Sequence, residues 1–266
     1  MPAPNAPEII GRPLVIAIDG PSGSGKSSVS REVARRLGLE YLDTGAMYRA
    51  ATWSALNAGL DLTDTSAVAE HVRLLDLRMG TDPSAPGVWV DGRDINAEIR
   101  ETRISASVSV VATNLPARAE LQQRQRDLIE AAAKGERGGC VAEGRDITTV
   151  IAPDADVRIL LTASEEARLA RRARELHGSD DATAVAATRD QIVRRDADDS
   201  AVSSFQVAAD GVLHLDSSGL NLEQTVQAVL DAVMRNANAN VGNGGRHNRV
   251  TDLDSADLAS NGAVNR

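Results

Sequence analysis

The chain has 266 residues, 42% of them hydrophobic and only 2% aromatic, with a formal net charge of −9, enough for one substantial α/β core with an insertion. Scarce aromatics and an acidic balance exclude a broad nucleic-acid surface of stacked rings and basic stripes, so a bound anion must be held by clustered arginines. Cys140 is the only cysteine, which rules out an intrachain disulfide or a CxxC zinc site and points to a reduced cytoplasm, while no apolar run reaches membrane-spanning length.

Residues 1–12 show neither a basic n-region nor an apolar h-region and are expected to be a disordered segment. "PLVIAIDG" then forms a continuous apolar run ending in an Asp-Gly turn, the pattern of a parallel strand buried on both faces. Gly20, Pro21, Ser22, Gly23, Ser24, Gly25, Lys26 and Ser27 follow, with Ser28 behind them, and match the phosphate-binding spacing G-x-x-x-x-G-K-[ST] between strand and helix. Glycines at these positions let successive N–H groups curl around phosphate oxygens, the helix N-terminus adds positive potential, Lys26 reaches the β- and γ-phosphates, and Ser27 is suited to ligate Mg²⁺. Lys26 and Lys134 are the only lysines in a chain that otherwise uses arginine for positive charge, so a slender ammonium at this one loop position has a specific use. Val29, Val33 and Leu37 recur at helical spacing behind the loop, and Gly38 supplies the stop.

From about Asp61 to Arg100 the rhythm changes. "LLDLRMG" and "GVWVDGRDI" alternate around the turn-rich "TDPSAPG", which predicts a small antiparallel insertion. "GRDI" occurs at 92–95 and again at 144–147, but the flanking residues differ, so the two copies are a coincidence rather than a repeat. Further on, "CVAEG", "VRILLTAS" and "GVLHLD" read as strands, and "SEEARLARRAREL" and "LNLEQTVQAVLDAV" as helices. This alternation predicts an α/β fold, a P-loop NTPase-type parallel sheet flanked by helices. Beyond Met234 the Asn/Gly-rich sequence lacks a sustained apolar period, and 235–266 is expected to be a disordered tail. His247 lies there and the other histidines are scattered, so no histidine metal site is indicated. The base-reading N-K-x-D of GTPases is absent.

Taken in order, "IDGPSGSGKSS", "YLDTGAMYR", "EIR", "VSVVA", "QRQR", "EGRDITTVIAPDADVRILLTAS" and "RRDADDS" resemble the bacterial cytidylate kinases over about 13–234. The resemblance implies one kinase domain with an acceptor-binding insertion at about 61–100, a short lid at about 168–182, and transfer from ATP, with Mg²⁺, to CMP or dCMP. It places Asp146 at the cytosine amino group, Arg118 and Ser109 at the ring acceptors, Thr44 nearby, and Arg49 and Arg145 on the acceptor phosphate. Tyr48 is open to two readings, packing beside the nucleotide or plain core burial. Arg168 and Arg172, with Lys26 and Arg145, are implied as the cations that neutralise the transferring phosphoryl group, and Arg195 and Asp199 approach the ribose. One departure stands out: relatives carry an arginine shortly after the position of Asp199, whereas this chain continues Ser200-Ala201-Val202. Uracil would set its O4 against Asp146, acceptor against acceptor, so selectivity has a repulsive component. Nothing marks an interface, and a monomer is expected. A kinase for another small phosphate acceptor and a non-catalytic nucleotide sensor are the competing readings, since fold alone does not fix substrate.

Overall fold

The computed structural model describes residues 12–178, 181, 183, 185, 189 and 207–242. The strand predicted from "PLVIAIDG" is β1 (Leu14–Asp19), and five of its six residues are buried, as a central strand requires. Helix α1 (Lys26–Leu37) leaves the phosphate loop and ends on Gly38 at φ 69°, a left-handed stop that glycine adopts without strain. Then come β2 (Glu40–Asp43), α2 (Thr44–Asn57), α3 (Thr65–Leu74), β3 (Leu77–Gly80), β4 (Gly87–Val90), β5 (Arg93–Asp94) and a single 3₁₀ turn at Glu98–Arg100. The chain continues through α4 (Thr102–Thr113), α5 (Leu115–Lys134), β6 (Gly139–Gly144), a π-helical turn at Ile147–Ile151, β7 (Val157–Thr162), α6 (Glu165–His177), β8 (Leu213–Asp216) and α7 (Leu222–Gly242).

Strands β2, β6, β1, β7 and β8 lie side by side in that order, every neighbouring pair parallel. Because β1 is flanked by β6 and β7 rather than by β2, the connections diverge at its carboxyl end, where α/β sheets open a ligand crevice. One face of the sheet packs Ile16, Ile18, Val141 and Ile159 against Val29 and Val33 of α1 and Val226 and Val229 of α7. On the other face Ala17, Cys140 and Ala142 meet Ile129 of α5 and Ile147 and Ile151 of the π-helical turn. A third apolar cluster joins α2, α3, β4, α4 and the start of α5. Among the described residues, no helix is long and apolar enough to cross a membrane.

The insertion is antiparallel, β3–β4–β5, with two differences from the sequence reading. "GVWVDGRDI" is two strands, because Asp91 (φ 49°) and Gly92 (φ 74°) both enter the left-handed region and fold the run into a hairpin. The 61–100 stretch also begins with a helix, α3, capped by the Asp64 carboxylate accepting from the Ala67 amide at 3.0 Å. At the other end α7 runs on to Gly242, past the boundary drawn at Met234. Asn236 Nδ2 donates to the Asp156 carbonyl at 2.8 Å, anchoring the start of the extension.

Candidate active site

The phosphate loop closes tightly over its own underside. A Cβ on Gly20 would meet the Leu161 carbonyl at 2.1 Å, and one on Gly23, which sits at φ 76°, would meet the Arg168 carbonyl at 2.6 Å; only glycine passes both places. Ser22, Gly23, Gly25, Lys26, Ser27 and Ser28 face a cleft of about 590 Å³. Gly20, Pro21 and Ser24 form the buried back of the loop. There Lys26 Nζ donates to the Pro21 carbonyl at 3.3 Å, beside the amides of the α1 N-terminus.

Helix α6 supports the loop from below. Arg168 Nη1 donates to the Ser22 carbonyl at 3.0 Å, and Arg171 donates to the Ser24 carbonyl at 3.1 Å and to the Ser217 hydroxyl and carbonyl. Of the arginines expected over the ATP phosphates, Arg172 lines the cleft, and Arg168 braces the Ser22 carbonyl of the loop. Residues 179, 180 and 182 of the lid expected at about 168–182, together with Arg195, Asp199 and the segment Ser200-Ala201-Val202, lie outside the described residues.

The floor of the cleft is a polar network centred on the buried Glu143. Ser27 Oγ donates to Glu143 Oε1 at 2.6 Å, the Tyr41 hydroxyl approaches the same oxygen at 3.3 Å, and Thr44 Oγ1 donates to the Glu143 carbonyl at 2.8 Å. Burial, reinforced by the neighbouring Asp43 charge, raises the pKa of Glu143 in spite of Lys26, Ser27 and Arg49. Burial also pushes Asp43 upward, but Arg49, the Ala46 amide and Lys26 outweigh it and its pKa is lowered. Asp43 is at once the N-cap of α2, accepting from the Ala46 amide at 2.8 Å, and the partner of Arg49 at 3.0 Å. The turn that starts α2 therefore aims Arg49 into the cleft.

Across the cleft, Arg118 Nη2 donates to Asp146 Oδ2 at 2.7 Å, its Nη1 donates to the Ala112 carbonyl at 3.1 Å, and Gln122 Nε2 donates to the same Asp146 oxygen at 2.8 Å. Arg118 and Asp146 are 8% and 4% exposed, so the ion pair is desolvated and each partner needs the other. The Arg118 guanidinium lies 5.9 Å from the centre of the Tyr48 ring, which is buried in the insertion's apolar cluster and also lines the cleft. Arg145 Nη1 donates to the Gly20 carbonyl at 3.1 Å, carrying the acceptor side onto the phosphate loop.

Thr44, Tyr48, Arg49, Arg118, Arg145 and Asp146 thus line the same cleft as Lys26 and Ser27. Ser109 does not: it is buried on α4, and Ser105, one turn earlier, faces the cleft in its place. Sequence reading also passed over Tyr41, Glu143, Gln122, Asn96 and Arg100. An acid ending a buried strand beside β1, as Glu143 does, was the available signal. Among the described residues no three His, Cys, Asp or Glu side chains cluster for a metal. The donor set still suits Mg²⁺, which retains waters and substrate oxygens and needs one or two protein contacts, here the Ser27 hydroxyl with the Glu143 and Asp43 carboxylates around it.

A family model described as cytidylate kinase matches residues 16–235. The chain is 46% identical to the cytidylate kinase of Streptomyces avermitilis over 83% of its length and 92% of that protein's. It is 50% identical to the one from Cutibacterium acnes over 83% of this chain and 96% of that protein, and 48% identical to that of Nocardia farcinica over 80% and 90%.

Proposed function

The chain belongs to the cytidylate kinase family, and from that premise we propose that it transfers the γ-phosphoryl group of ATP to CMP or dCMP, as a monomer in the cytoplasm. One observation carries this reading. Lys26 and Ser27 of a phosphate loop, and a desolvated Arg118–Asp146 pair able to read a base edge, open into a single cleft of about 590 Å³.

Donor phosphates lie against the loop amides and the Lys26 ammonium, with Arg172 entering from α6. The acceptor phosphate is gripped by Arg49 and Arg145, whose forked guanidiniums suit two oxygens at once. Oδ2 of Asp146 already accepts from Arg118 and Gln122, which leaves Oδ1 for the 4-amino group of cytosine. Arg118 has Nε and further N–H directions for the ring acceptors. Thr44 has committed its proton to Glu143, so toward a nucleotide it serves as an acceptor. Arg195 and Asp199 take the ribose. The attacking atom is already an anionic phosphate oxygen, so no general base is required, and alignment with charge neutralisation supplies the rate. When bound, Mg²⁺ supplies further neutralisation of the phosphate oxygens.

A coupled ADP-release assay across CMP, dCMP, UMP and AMP tests the reading. CMP and dCMP should turn over, with UMP and AMP lower in kcat/KM by at least about tenfold, the scale of one base-edge discrimination. Preference for AMP or UMP, or no turnover with any of the four, would refute it.

A further inference from the structure

The β1–β6 ladder ends at the pair Asp19↔Gly144. Beyond it the two chains part: one becomes the phosphate loop, the other carries Arg145 and Asp146 into the cleft. Strand pairing holds neither segment there. The Asp19 side chain does, although it is only 2% exposed. Its Oδ1 accepts from the Ile147 amide at 2.9 Å, and its Oδ2 accepts from both the Thr148 amide and the Thr148 hydroxyl, each at 2.7 Å. With the Arg145 guanidinium on the Gly20 carbonyl at 3.1 Å, residues 19–20 and 145–148 are stitched together in both directions.

Burying a carboxylate is costly unless its oxygens are fully used, and a side chain serving only to close a turn could be a neutral serine or asparagine. An ionised carboxylate differs in one respect. It is an acceptor on both oxygens, so it can take two successive amides and a hydroxyl without presenting a donor of its own. The two amides belong to the residues immediately after Asp146, and fixing them fixes the direction in which the Asp146 side chain leaves the backbone.

Resting on the reading of Asp146 as the base reader, we propose that Asp19, with Thr148, is a positioning residue for acceptor selectivity: it registers the base-reading carboxylate against the phosphate loop, so that donor and acceptor are aligned through one buried side chain. Neither residue touches substrate. Their loss therefore acts on the acceptor and its discrimination, not on donor binding.

The test is steady-state kinetics with CMP, UMP and ATP varied separately, together with thermal midpoints, for wild type, Thr148→Val, Thr148→Ser, Asp19→Asn and Asp146→Asn. Thr148→Val keeps the shape and removes one donor. It should raise KM for CMP and lower the CMP/UMP ratio of kcat/KM by about three- to tenfold, the scale of one hydrogen bond, with KM for ATP within about twofold. Thr148→Ser restores the hydroxyl and should restore the ratio. Asp19→Asn turns one acceptor into a donor facing an amide and should lower the ratio further. The inference is overturned if Thr148→Val lowers the thermal midpoint but leaves the ratio unchanged, or raises the CMP and ATP KM values together, either of which marks a purely structural role. If Asp146→Asn collapses the ratio while Thr148→Val does not, the inference alone fails. If Asp146→Asn leaves the ratio unchanged, the reading of Asp146 fails and takes the inference with it.

Discussion

At the scale of single residues, the side chains of the cleft hold one another before any ligand arrives. Asp146 is the clearest case, because its carboxylate is both the proposed base reader and the counter-charge of a buried arginine. Asp146→Asn lets an amide donate to uracil O4 where the carboxylate only repels, and should weaken CMP/UMP selectivity by roughly 1–3 kcal/mol. It also leaves Arg118, 8% exposed, without its counter-charge, so the thermal midpoint should fall as well. Specificity constants for both nucleotides and a melting curve check the two effects, and an unchanged ratio would deny Asp146 its role. Lys26 is the opposite case. It lies on a loop facing the cleft and bonds to the Pro21 carbonyl at 3.3 Å, so Lys26→Ala should lower kcat by at least about 10²-fold while circular dichroism stays native. Near-normal turnover in a folded variant would remove the phosphate-loop assignment.

At the scale of elements, what the sequence showed depended on whether burial left a one-dimensional pattern. β1, β6, β7 and β8 were legible as apolar runs, and α1, α6 and α7 as apolar stripes on otherwise polar helices. Helix α2 was not: ten of its fourteen residues are buried, so it carries no polar face to contrast with a core face. Helix α4 was hidden by Ile104, Val108, Val110 and Val111, β-branched residues that read as strand until tertiary packing decides. The site was legible where a motif spans consecutive residues, as in 20–28 and 43–49. It was not where partners are brought together by topology, as with Gln122 and Asp146 or Ser27 and Glu143. The end of α7 yields a prediction at this scale. Truncation after Met234 removes the Asn236 bond to the Asp156 carbonyl, next to the carboxylate that accepts from the Val15 amide at 2.8 Å. It should cost about 0.5–1.5 kcal/mol in chemical denaturation, whereas truncation after Gly242 keeps the bond. Identical stabilities for the two truncations would show that the last turns of α7 add nothing to the fold.

At the scale of the whole molecule, the carboxyl end of the sheet meets the insertion at the cleft, and acids are buried there that ordinary packing would expel. Asp19 is raised from 3.8 to about 6, chiefly by burial, which its bonds to Thr148 and Ile147 only partly offset. Glu143 is raised by the same cause. For a group whose folded pKa is raised, the unfolded chain ionises first. Its contribution to stability is therefore full below the unfolded value and is lost as pH rises through the folded value. For Asp19 the window runs from 3.8 to about 6, and at about 1.4 kcal/mol per pH unit the loss amounts to roughly 3 kcal/mol. Asp43, whose pKa is lowered, runs the other way and loses stability as pH falls, so the total curve mixes signs. The difference between wild type and Asp19→Asn isolates one group, because Asn does not titrate and the remaining acids are common to both proteins. At acid pH both carry a neutral side chain and should be close in stability. As pH rises to 7 wild type should lose roughly 3 kcal/mol relative to Asp19→Asn, even as it gains the alignment that the ionised carboxylate provides. Urea unfolding of both proteins at several pH values between 4 and 7 measures this directly, and parallel curves would mean that Asp19 is ionised in the folded and unfolded chain alike. The expected divergence would show that stability is given up at Asp19 to hold an ionised acid at the position that alignment of the cleft requires.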